Sequence, residues 1–106
     1  MAKNLSLVLL LDCYGELLTA RQRDIAELYF NEDLSLTEIA ETRGITRQAV
    51  RDSIRHTEQT LLETEAKLGM AKRIVGMREC LETILHHCGG TDTEIAQLAR
   101  DGLLLL

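Results

Sequence analysis

Residues 35–55, Ser-Leu-Thr-Glu-Ile-Ala-Glu-Thr-Arg-Gly-Ile-Thr-Arg-Gln-Ala-Val-Arg-Asp-Ser-Ile-Arg, constrain the fold more than any other stretch of the chain. Ser35 and Glu38 have capping-box spacing, where each side chain satisfies a free backbone N–H at a helix start. Ile39 and Ala40 then fall where a short helix must meet a second one, and the small Ala40 lets two backbones cross closely. Gly44 follows where the turn needs a left-handed residue that pays no Cβ penalty. Ile45 plugs the turn and Thr46 caps the next helix. Arg47, Arg51 and Arg55, at i, i+4 and i+8, share one face of that helix, with Val50 and Ile54 on the other. The pattern predicts two helices joined by a tight turn, a helix-turn-helix.

The rest of the chain points to the same class. It has 106 residues, no proline and 3% aromatic residues, and is rich in Leu, Ala, Glu and Arg. An all-α fold of five or six helices in a single domain is expected, with a helix-turn-helix core over 18–58 and a helical extension over 59–106. The longest apolar run, Leu7–Leu11, is too short for a bilayer, so no membrane insertion is expected. The N-terminus faintly resembles a signal peptide but has one lysine, no small-residue cleavage site and an acidic continuation. Three cysteines without framework spacing fit a reducing cytoplasm.

Further helices follow from periodicity and caps. The first is expected over about 3–17, buried because Leu5, Leu7, Val8, Leu9, Leu10 and Leu11 leave it apolar nearly all round. A second opens at Thr19 with Gln22 completing a capping box, and turns Ile25, Leu28, Tyr29 and Phe30 inward. Asn31-Glu32-Asp33 is a polar turn. The helix from Arg47 is expected to run on, because Val50, Ile54, Thr57, Leu61, Thr64 and Leu68 form a heptad-like seam. Met70, Ile74, Met77, Leu81, Ile84 and Cys88 repeat the spacing out of phase, which places a joint near Gly69. Gly89-Gly90 ends that helix, and Thr91 with Glu94 suggests a capping box for a last one through Ile95, Leu98 and Ala99. The tail Gly102–Leu106 either packs back or meets another chain.

Charge distribution bears on partners. The net charge is −5, but residues 12–42 carry eight acids against two bases, and residues 43–55 four arginines against one Asp. A second basic patch is read at Lys67, Lys72, Arg73 and Arg78. An acidic remainder with a basic stripe lowers non-specific affinity without excluding site-specific binding to duplex DNA. On that reading Arg47, Gln48, Arg51 and Arg55 meet the major groove. Arginine suits guanine O6 and N7, glutamine suits adenine N6 and N7, and Arg43 is better placed for a phosphate, beside the capping Thr46. The bland alternative is a solvated helix face, with Asp52 pairing Arg55 or His56.

His86, His87, Cys88 and Cys80 do not make a zinc site by spacing, since there is no C-x-x-C and adjacent histidines diverge by about 100° on a helix. Cys13 and Cys80 are read as core. No phosphate loop, nucleophile elbow or His-Asp-Ser set can be placed, so neither catalysis nor a cofactor is expected.

The segments Leu17-Leu18-Thr19, Glu27-Leu28-Tyr29, Ser35–Glu41, Thr46–Val50 and Arg55–Glu58 resemble region four of bacterial sigma factors. In length and layout the whole chain is similar to the YlxM family, which adds a helical C-terminus to such a core. The likeness is good over residues 10–68 and loose beyond. It implies a cytoplasmic DNA-binding regulatory role linked to the signal recognition particle pathway. An alternative is a modulator of that particle's protein or RNA that uses the helix-turn-helix as a docking scaffold. A third is a self-association module with no nucleic-acid role. The near-continuous apolar first helix, the seams and the leucine tail point to a homodimer, which on the DNA-binding reading sets two recognition helices about one helical turn apart, ~34 Å.

Overall fold

The computed structural model describes residues 5–88 and 93–106, and all regular structure among them is helical. The chain forms two compact units that divide at Gly69. The helix from Arg47 runs unbroken through Glu58 and Gln59. No helix among the described residues is long and apolar enough to cross a membrane.

The first unit holds α1 (Leu5–Tyr14), a single 3-10 turn (Gly15–Leu17), α2 (Ala20–Phe30), α3 (Leu36–Arg43) and α4 (Arg47–Leu68). The expected first helix therefore stops at Tyr14 and tightens into the 3-10 turn, after which Leu18 is extended and Thr19 caps α2. Both expected capping boxes are formed. Thr19 Oγ1 accepts from the Gln22 N–H at 3.2 Å and Gln22 Oε1 from the Thr19 N–H at 3.1 Å. Ser35 and Glu38 exchange the same pair of bonds, each at 3.1 Å. Between α2 and α3 the chain turns at Asp33, whose φ of 59° is left-handed, and Leu34 N–H closes the turn on the Leu28 carbonyl.

α4 is the spine of this unit. Val50, Ile54, Thr57 and Leu61, spaced 4, 3 and 4, are wholly buried beneath α1, α2 and α3. Ile25 and Ile39 complete the centre, with Leu7, Leu10, Leu11, Tyr14, Tyr29 and Phe30 around them. Each such aliphatic side chain contributes about 1.5–3 kcal/mol relative to exposure. The seam fades beyond Leu61, where Thr64 is half-buried and Leu68 exposed. α1 is less enclosed than its composition suggested, since Leu9 is 50% exposed. The Tyr14 hydroxyl donates to Glu65 Oε1 at 2.6 Å and ties the end of α1 to the last turns of α4. Gly69 then stops α4 with a φ of 63°.

The second unit is a hairpin of α5 (Met70–His87) and α6 (Glu94–Leu104). Leu81 and Ile84 lie beside Ile95, Leu98 and Ala99, whereas residues from Arg73 to Leu81 lie beside Gly102 and Leu105, so the helices run antiparallel. The expected α5 seam is split: Ile74, Leu81 and Cys88 are half-buried, but Met70, Met77 and Ile84 are exposed. α6 turns Ala96 and Ala99 inward, not Ile95 and Leu98. Its cap is Thr93, whose Oγ1 accepts from the Ala96 N–H at 3.1 Å and makes Glu94 the first helical residue. Thr91, Gly89 and Gly90 lie outside the described residues. Cys80, expected in a core, is exposed.

Candidate nucleic-acid interface

Three local devices aim the start of α4. α3 ends on Gly44 at φ 66° and ψ 34°, and the N–H groups of Gly44 and Ile45 both return to the Ala40 carbonyl. This left-handed stop reverses the chain within two residues. Thr46 then caps α4, its Oγ1 accepting from the Ala49 N–H at 3.0 Å. Finally, Val50 and Ile54 anchor the helix from below, with Ile39 and Ala40 of α3 packed into the same core. Register is thus set by buried residues, and the opposite side of the first two turns is presented outward.

Thr46, Arg47, Gln48, Asp52, Arg55 and His56 are all exposed; Arg47, seven residues before Ile54 and so on nearly the same side of the helix, is open because it stands in the first turn. The arginine stripe is less uniform than spacing suggested. Arg51 is half-buried, and its Nε is covered without a hydrogen-bond partner. Gln48 is held in place by Asp52, its Nε2 donating to Asp52 Oδ1 at 2.9 Å. Asp52 thus meets Gln48, one turn back, rather than Arg55 or His56.

Arg43, at the end of α3, makes a two-pronged ion pair with Asp24 of α2. Its Nε and Nη2 lie 2.7 and 2.9 Å from the two carboxylate oxygens. These hydrogen bonds hold the Asp24 carboxyl below its ordinary value against a smaller opposing effect of partial burial, and raise the Arg43 guanidinium. Sequence spacing cannot reveal such a partner, since the two residues belong to different helices. Further along α4, burial pushes the Glu58 carboxyl up, and nearby Arg55 opposes this.

The second group of basic residues is divided between the two units. Lys67 is exposed in the last turn of α4 in the first unit, and Lys72, Arg73 and Arg78 are exposed on α5 in the second. At about 100° per residue, Arg78 points roughly 120–140° away from both Lys72 and Arg73, so α5 offers no single basic face.

A family model covers residues 1–100 of the chain, that of UPF0122, "Putative helix-turn-helix protein, YlxM / p13 like". The chain belongs to this family. A UPF0122 protein of Geobacillus kaustophilus is 38% identical over 104 residues, 95% of this chain and 94% of that protein. One from Desulforamulus reducens is 45% identical over 85 residues, 80% and 73% of the two chains. One from Symbiobacterium thermophilum is 49% identical over 63 residues, 59% of each. The family is described by its helix-turn-helix and not by a reaction.

Proposed function

We propose that this UPF0122 chain is a regulatory protein that binds duplex DNA with the first turns of α4 in the major groove. The observation that carries the reading is the exposed Arg47, Gln48 and Arg55 on a helix end anchored from below by Val50 and Ile54. Arg47 and Arg55 reach guanine edges or phosphates, Gln48 an adenine edge, and Arg51 the intervening position. Arg43 and the Thr46 turn flank the groove at the backbone. A homodimer formed through the extension sets two such helices about one helical turn apart, ~34 Å.

A salt series on duplex fragments from around the gene tests this. Binding should be sequence-dependent, and log K should fall by about 0.9 per log unit of salt for each phosphate neutralised. Arg47→Ala or Arg55→Ala should each cost about 1–3 kcal/mol where the arginine reads a base. Unchanged affinity in both would sink the reading.

A second reading is favoured by one feature. Arg43 and Gln48 are engaged by Asp24 and Asp52, which places carboxylates within the face that would meet phosphates. In this reading the helix-turn-helix docks on the protein or RNA of the signal recognition particle. Co-purification with that particle, with no duplex binding even at low salt, would replace the first reading by the second.

A further inference from the structure

The α5–α6 hairpin has almost no core of its own. Its buried side chains among the described residues are Ala71, Ala96 and Ala99. Its large apolar side chains are left out: Met77 is 47% exposed, Ile84 40%, Ile95 61%, Leu98 63% and Leu105 87%. These side chains are not scattered. Met77, Cys80 and Ile84 recur at spacings of 3 and 4 on α5, and Ile95, Leu98, Gly102 and Leu105 at 3, 4 and 3 on α6. Both stripes open onto one side. There Gly76, Met77, Cys80, Leu105 and their neighbours line a trough of about 790 Å³, which Leu81 shares with a smaller one at Ile84, Ile95 and Leu98. Gly102 allows the close approach, since a Cβ there would stand 3.0 Å from a Leu81 methyl.

Each helix therefore has two adjacent apolar seams, one facing the other helix of the hairpin and one facing out. A helix with two neighbours in a four-helix bundle has this pattern. A unit of residues 70–106 is also below the ~40 residues at which a core becomes self-sufficient.

Charge at the face itself selects what covers it. Arg73 lines the trough near the start of α5, and Glu94 stands beside Ile95 at the loop end, where α6 begins. A second copy turned end for end sets the Arg73 of each copy toward the Glu94 of the other, whereas a parallel pairing sets like charge beside like.

We propose that two copies of this chain pair through the open face of the α5–α6 hairpin, end for end, as a four-helix bundle. This rests on the reading that the extension self-associates, and adds the face and the direction.

Sedimentation equilibrium of the full chain tests the face. Wild type should be a dimer. Ile84→Glu and Leu98→Glu should each weaken it by ~100-fold or more, because the two-fold buries two unpaired carboxylates, while leaving helicity unchanged. Leu9→Glu, on an exposed apolar residue of the other unit, should leave the dimer intact. A wild-type monomer, or a dimer indifferent to both hairpin variants, would overturn the proposal. Direction is read in a chain lacking Cys13, Cys80 and Cys88. A short bis-maleimide should join Arg73→Cys in one copy to Ile84→Cys or Ile95→Cys in the other. Linkage of Arg73→Cys only to its own kind would mean a parallel pairing and overturn the end-for-end arrangement. A monomer that still bound duplex DNA would remove this interface and leave the DNA reading standing, and a dimer without DNA binding would do the reverse.

Discussion

Asp24 is the residue whose removal says most about how the helix-turn-helix meets a polyanion. It holds Arg43 by two short hydrogen bonds, with 44% and 41% of the two side chains exposed. Both groups are open to water, so the pair contributes little to folding stability. Its main effect is to cancel the one cation at the end of α3. In Asp24→Asn the guanidinium keeps its place beside a neutral amide and is released to a phosphate. One more neutralised phosphate steepens the salt dependence of log K by about 0.9. Between 50 and 200 mM salt, a fourfold range, that added slope amounts to a further loss of about 3.5-fold, so the variant's advantage is largest at low salt. Fluorescence anisotropy of a labelled duplex, titrated at four or five salt concentrations, reads both quantities. Arg43→Ala is the matched control and should keep the wild-type slope if Asp24 already silences the arginine. An Asp24→Asn slope equal to wild type would refute the reasoning, as would weaker binding at low salt. Either would mean that Asp24 positions Arg43 for its contact instead of competing with it.

Three further outcomes concern stability and can be read from thermal or urea unfolding. Gly44→Ala forces a Cβ into the left-handed stop between α3 and α4 and should cost about 1–2 kcal/mol, with no loss to crowding since the space around Gly44 is open. Thr57→Val removes a wholly buried hydroxyl that has no hydrogen-bond partner, keeps the shape, and should stabilise by ~1 kcal/mol. Glu58→Gln should stabilise at neutral pH and give no gain in acid. A carboxyl raised by burial takes up protons more readily when folded, so its penalty is absent below the unfolded pKa and grows as pH rises to the folded one. Equal stabilisation at every pH would contradict this.

The first unit was legible because its sequence cues are local and agree with each other. Two capping boxes, a left-handed glycine and a 4-3-4 seam each describe residues within a few positions of one another, and Val50, Ile54, Thr57 and Leu61 are buried as their spacing requires. What spacing could not show were the contacts between helices: Arg43 with Asp24, and Tyr14 with Glu65. The seam on α5 failed for a different reason. A heptad pattern identifies an apolar stripe but not which neighbour covers each part of it. Ile74, Leu81 and Cys88 go half-buried, and Met70, Met77 and Ile84, one step round the helix, remain open. On α6 the same ambiguity applies: Ile95 and Leu98 have the spacing of one seam and Ala96 and Ala99 that of another, and it is the alanines that are buried. A stripe wide enough for two neighbours in a unit that supplies one is the physical reason to look for the second neighbour outside the hairpin.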